Sequence, residues 1–320
     1  MWTFWLSSVA LAGQVDRWVE DGDGVRAYHV VWDAEEVDGS GPVQDRRTHR
    51  IDTVFQLELA AVEADRLADA GPTVADRLAS RALAVEAWAA REGNGVTVEV
   101  TAGKLGLRMP PDRRDPGLLK AATEVSEAAK DAWMPRFEQV RTAPGKIEVD
   151  LPGMVARHAA AVRPVAEALR DPLDDEAAFA ARALQFVQSI PYEARRQTVW
   201  GEAVIREDEL ARTMETPGYT SFRRPLSLID ANTGDCDGKT VLYLAMIRAL
   251  YPEVPLVVVR VPNHVYGGVA VDGWDPGTSL EHEGRRYTVV EPTGPALLPA
   301  GRLHAASAAA GILRVEAVPP

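Results

Sequence analysis

A single cysteine, Cys236, stands among the 320 residues, which excludes an internal disulfide framework and every zinc pattern built on paired cysteines. The six histidines are scattered and no His-Glu-x-x-His occurs, so a histidine-built metal centre is not expected. Positive charge is scarce as well: 35 Lys and Arg face 47 Asp and Glu, a formal net charge of −12. The basic clusters Arg46-Arg47, Arg113-Arg114 and Arg223-Arg224 are short and diluted by acids, whereas a nucleic-acid binder carries a basic stripe. No uncharged run reaches the ~20 residues that a membrane span needs. The stretch Asp230-Ala231-Asn232-Thr233-Gly234-Asp235 has the look of a calcium loop, but its fifth residue is Gly, its sixth is Asp, and Val241 stands twelfth where a bidentate Glu is required. No cofactor is expected, and no repeat or low-complexity tract is present.

What the chain does contain is enough apolar residues, 46%, to build two cores. Residues 1–12 are an apolar run with Trp2, Phe4, Trp5 and Leu6, closing on Ala10-Leu11-Ala12. That pattern resembles a shortened signal peptide without its basic start, and export to the periplasm or cell exterior follows from it; without such a signal the expected place is the cytoplasm. Residues 14–150 read as a separate mixed α/β amino-terminal domain. Arg26 to Trp32 predicts a strand, helices break at Gly71-Pro72, Gly93-Asn94-Gly95 turns into a strand, and Asp115-Pro116 opens a helix with Pro at its first position. Thr142 to Lys146 and Leu151-Pro152-Gly153 are linker candidates, so a second domain is placed over 151–320, entered by helices at about 154–170 and 175–189.

Within that second domain the cysteine is the most informative residue. Gly234 and Asp235 supply turn and cap chemistry, and from Thr240 to Leu250 only Arg248 is clearly polar, so a buried helix is predicted with Cys236 in its first turn. Unpaired N–H groups there favour a thiolate, while Asp235 and Asp237 oppose it wherever they approach the sulfur. Neighbouring helical residues point apart, which predicts a small penalty. The helix end contributes about one pKa unit at most, so activation requires a cationic partner. A thiol so paired reacts well below pH ~8.5.

Partners for it lie downstream. Leu256 to Val261 predicts a buried strand; His264 opens a second run to Val271; Arg286 to Val290 is a third, ending at Glu291-Pro292-Thr293. If the second and third pair antiparallel, His264 and Glu291 become cross-strand neighbours, and directly opposed residues have Cβ atoms about 4.5 to 5.5 Å apart. The carboxylate would then orient one imidazole nitrogen and leave the other for the thiol.

Gly-Asp-Cys-Asp-Gly-Lys at 234–239, Asn263-His264 opening a strand, and Tyr287 to Thr293 together resemble the transglutaminase-like cysteine peptidase superfamily, the papain-related group with a Cys, His and Asp or Glu triad in that order. Phe186 to Tyr192 is similar to the helix-end segment before the cysteine in bacterial members. The resemblance covers roughly residues 170 to 300. It implies an α+β domain, its cysteine-bearing helix packed on an antiparallel sheet, and acyl transfer at peptide, isopeptide or amide bonds through a thioester. By position Cys236 is the nucleophile, His264 the general base and acid, and Glu291, where Asp is common, the orienting carboxylate. The Cys236 backbone N–H is one oxyanion donor; Gln188 or Trp200 is the second. Hydrolysis is favoured over transamidation because water needs no site of its own. The expected partner is a peptide or protein substrate, and Arg223-Arg224-Pro225 is a candidate lining for acidic substrates. The alternative from a different class is a noncatalytic module of the same fold that binds a peptide or protein partner.

Overall fold

The computed structural model describes residues 14–38, 45–70, 74–101, 104–111, 115–133, 138–143, 146–192, 223–294 and 297–320. In chain order come β1 (Gln14–Gly22), β2 (Val25–Asp38), β3 (Asp45–Glu58), α1 (Leu59–Ala70), α2 (Val74–Glu92), β4 (Thr97–Thr101), β5 (Lys104–Arg108) and α3 (Pro116–Trp133). Then follow β6 (Gln139–Ala143), β7 (Lys146–Val149), α4 (Leu151–Leu169), α5 (Glu176–Ser189), α6 (Pro225–Ala231) and α7 (Cys236–Leu250). The chain closes with β8 (Leu256–Val261), β9 (His264–Val269), β10 (Ser279–His282), β11 (Arg285–Val290), α8 (Ala305–Ala309) and β12 (Arg314–Ala317). Helices are mixed with antiparallel sheets, an architecture compatible with the α+β class.

The helix α7 is apolar because it is enclosed: every residue from Gly238 to Ala249 is buried. It packs against α4, α5 and β9. Beneath it runs a five-stranded sheet in the order β10-β11-β9-β8-β12. Gly267 permits that approach, since a Cβ there would stand 3.0 Å from Val290 and 3.2 Å from Leu244 of α7. Val257, Val259, Val261, Tyr266, Tyr287 and Val289 form a further cluster from alternate positions of β8, β9 and β11, as the two-residue period of a strand requires.

The chain divides between residues 150 and 151, as read in the sequence, but its first strands do not belong to the unit that ends there. Among the described residues, 14–66 fold with 151–192 and 223–320 as one compact unit, and those between 67 and 150 form another. The three-stranded sheet β1-β2-β3 therefore belongs with the cysteine helix and not with a separate amino-terminal domain over 14–150. The reason is a face the sequence could not assign: Tyr28, Val30, Trp32 and Ala34 of β2 are all buried. Trp32 meets Phe186 of α5 edge-on at 5.8 Å, and Phe55 of β3 meets the same ring at 6.4 Å. Polar contacts complete the attachment. Arg26 and the Tyr28 hydroxyl donate to Asp230 on α6 at 2.7 and 3.0 Å, and Arg17 caps that helix end by donating to the carbonyls of Ile229 and Asp230.

Neither linker candidate is a linker. Thr142, Ala143 and Lys146 lie in β6 and β7, which pair antiparallel from Gln139↔Val149 to Ala143↔Lys146. Leu151-Pro152-Gly153 is the first turn of α4, where proline lacks only an N–H that would be unpaired anyway, and Leu151 and Pro152 are buried. In the second unit, α2 and α3 enclose Val85, Ala89, Val96 and Ala122 beside the β4–β5 hairpin.

Candidate active site

The geometry starts at the α6–α7 turn. Asn232 adopts the left-handed conformation (φ 51°) that ends α6, and Gly234 pairs with Tyr192, its N–H donating to the Pro191 carbonyl at 3.2 Å. Asp235 is the N-cap of α7: its side chain accepts from Gly238 N–H at 2.9 Å. The cap sets Cys236 in the first turn, as the sequence predicts.

Thr240, one turn along the same face, donates to the Val265 carbonyl at 3.3 Å, which ties the start of α7 to the start of β9. The Val265 backbone lies close enough to the Cys236 sulfur to favour its charged form. The thiol therefore abuts the residue next to His264. That histidine is delivered by a tight turn, Pro262-Asn263, in which Asn263 takes φ 59°, a conformation asparagine tolerates, while Val261 pairs with His264 across β8 and β9.

His264 Nε2 and Glu291 Oε1 are 2.7 Å apart, with side chains 17% and 4% exposed. The pairing is antiparallel as expected, but the two residues are not directly opposed. Thr288, Val289 and Val290 face Val269, Gly268 and Gly267, so continuing the register sets Glu291 across from Tyr266, two residues beyond His264 on the same face. Such diagonal neighbours are about 7 to 8 Å apart. The glutamate side chain spans that offset. With Nε2 engaged by the carboxylate, the ring's Nδ1 is left for other chemistry.

Around the sulfur, negative charge is closer than the helix argument predicts. The Cys236 thiol donates to Asp237 Oδ1 at 3.5 Å, so these neighbours do not point apart. Burial pushes the thiol well above its ordinary value, Asp237 and then Asp235 push it further, and only the Val265 N–H pulls it back. Burial likewise raises the Asp237 carboxyl against the opposing pull of Arg260, the thiol and His264. Desolvation and the two carboxylates thus favour the neutral thiol and outweigh the helix start, because burial penalises the charged form.

Asp237→Asn is accordingly expected to lower the thiol's titration midpoint and raise its iodoacetamide rate at pH 7.5. Each unit of lowering multiplies the thiolate fraction about tenfold but sacrifices nucleophilicity, for a net gain of about threefold per unit. A rate–pH profile that superimposes on wild type would show that the carboxylate does not control the sulfur.

Other expected residues fall elsewhere. Gln188 is not available as an oxyanion donor: it is fully buried, and its amide donates to the carbonyls of Glu291 at 2.8 Å and Leu298 at 2.9 Å, which uses both of its N–H groups. Trp200 and residues 1–12 lie outside the described residues. Arg224 is 2% exposed and so lines no open groove. Sequence reasoning missed Tyr192, whose phenol is pushed up to about 12 by burial and by the fields of Cys236, Asp235, Asp237 and Glu291. At 43% exposure it stands at the solvent side of the site. Its place beside Gly234 comes from a long-range bridge that no local pattern signals.

Among the described residues no group of three His, Cys, Asp or Glu side chains is arranged to hold a metal, and no helix is long and apolar enough to cross a membrane. The chain matches no family model, and neither curated proteins nor solved structures yield a match.

Proposed function

We propose that this chain is a thiol-dependent acyl-transfer enzyme of the transglutaminase-like, papain-related kind, acting on peptide, isopeptide or amide bonds and favouring hydrolysis. The observation that carries the reading is the 2.7 Å His264–Glu291 contact at the start of a strand that Thr240, one turn along α7 from Cys236, ties to the cysteine helix. The class α+β and the cysteine-bearing helix on an antiparallel sheet are compatible with that fold family.

The chemistry follows from the protonation states. Because the resting thiol is neutral, His264 Nδ1 takes its proton as Sγ attacks the substrate carbonyl, and the S–C bond forms in the same step. Glu291 stabilises the resulting imidazolium through Nε2–H. The Cys236 N–H, at the start of α7, supplies one donor to the developing oxyanion. Collapse of the tetrahedral adduct breaks the C–N bond, the imidazolium returns its proton to the leaving amine, and a thioester remains. Water, deprotonated by the now neutral ring, then attacks the thioester; the C–S bond breaks, the sulfur takes the proton back, and a carboxylic acid is released.

Incubation with a library of peptides and cell-wall fragments, followed by mass spectrometry of wild type and Cys236→Ala, tests this. Hydrolysis adds water and divides a substrate; transamidation exchanges ammonia for an added amine; both vanish with the sulfur. A library untouched by wild type, together with saturable binding of one of its members, would favour the noncatalytic peptide-binding module instead.

A further inference from the structure

Lys239 lies one turn along α7 from Cys236 and is fully buried. An apolar side chain of similar volume would fill the space without the cost of desolvating an amine, so what the amine touches matters. Its Nζ donates to the Ile190 carbonyl at 2.7 Å and to the Thr293 carbonyl at 2.5 Å. Ile190 is the C-cap of α5, and Thr293 follows Glu291 by two residues. One side chain thus joins the cysteine helix, the end of α5 and the segment that carries the orienting carboxylate.

That segment is held from a second side. Gln188 donates to the Glu291 carbonyl at 2.8 Å, and Gly294, at φ 63°, passes so close that a Cβ there would stand 2.5 Å from the Gln188 carbonyl and 3.2 Å from Lys239 Nζ. Glu291 Oε1 is engaged by His264, whereas its Oε2 is buried with no hydrogen-bond partner. An ammonium has three donors, of which two go to carbonyls, and the third is left over in the field of that carboxylate. Burial pushes Lys239 down to about 7 while Glu291 pulls it up; even the neutral amine retains two N–H groups for two carbonyls.

We propose that Lys239 is a positioning residue: by clamping residues 291–294 to the end of α5, it presents the Glu291 carboxylate to the His264 imidazole. The proposal rests on the reading of His264 and Glu291 as a catalytic pair.

The sign of one shift separates this role from its rivals. The His264 ring signal is assigned in NMR spectra by its loss in His264→Ala and followed against pH in wild type, Lys239→Met and Glu291→Gln. Loss of the clamp withdraws an anion from the imidazole, so the His264 midpoint in Lys239→Met falls below that of wild type, and Lys239→Met produces no further fall in the Glu291→Gln background. A lysine acting only as a nearby cation gives the opposite result, a rise on its removal, and a lysine serving only to fill space leaves the midpoint of the folded variant unmoved; either overturns the proposal. Should the methionine variant not fold, Lys239→Gln, whose amide ends one atom short, is read instead: a fall supports the clamp, and a midpoint at or above wild type overturns it. The catalytic reading fails separately. If the library is unaffected by Cys236→Ala while the midpoint still falls, the clamp stands and the enzyme does not; if turnover requires Cys236 while the midpoint is unmoved, the reverse holds.

Discussion

The His264→Ala variant is expected to turn over substrate about 10²- to 10⁴-fold more slowly than wild type. The size of that loss follows from the resting state of the sulfur. With burial, Asp237 and Asp235 all holding the thiol protonated, attack requires a base to remove the proton during the step, and His264 is the base at hand. A thiolate already formed at the helix end would lose less when the ring is removed. Glu291 enters through the same ring, and its replacements probe geometry as well as charge. Glu291→Gln removes the charge that stabilises the imidazolium. Glu291→Asp keeps the charge but shortens the reach, and because the residue sits diagonally to His264, the aspartate is expected to fall short and lose nearly as much as Gln. Initial rates on any library substrate that requires Cys236 check both. A Glu291→Asp enzyme as fast as wild type would mean that the diagonal is not bridged by the extra methylene.

The second large effect is on stability. Trp32→Ala is expected to lower the unfolding free energy by about 3 to 5 kcal/mol and the melting temperature by roughly 6 to 20 °C. Trp32 has no solvent exposure, its ring packs on Phe186, and its indole N–H donates to Thr53 at 3.1 Å. Truncation leaves a cavity and a buried hydroxyl without its donor. Calorimetry with simultaneous alkylation of Cys236 shows where the damage is felt. Because β1–β3 share a core with α5, the transition that exposes the cysteine moves down as a whole. A cysteine transition unchanged beside a newly melted sheet would remove β1–β3 from the unit that holds the cysteine helix.

The cysteine itself, the cap at Asp235, the apolar helix to Leu250, the strand from Leu256 to Val261 and the histidine opening the next strand were all legible in the sequence, because each is written in contiguous residues: a capping side chain, a run of one polarity, a turn at Pro262-Asn263. The antiparallel pairing that brings Glu291 to His264 was legible in kind from the two runs, although the short β10 that lies between them in the chain and pairs with β11 was not. The register was not either, because a shift of one or two residues depends on how the flanking turns and the packed helix seat the strands.

What only the tertiary structure decided is whatever depends on residues far apart in the chain. Phe186 covers the face of a strand more than 150 residues before it, and no local pattern names the cover of an amphipathic strand. Gln188 looked like a free donor until two carbonyls from the far loop claimed its amide. Lys239 looked like one charge in a motif until Ile190 and Thr293 enclosed it. Composition and periodicity fix which surfaces must be buried; which surfaces bury one another, and hence the protonation state of the one thiol, emerges only when the chain closes on itself and removes water from around it.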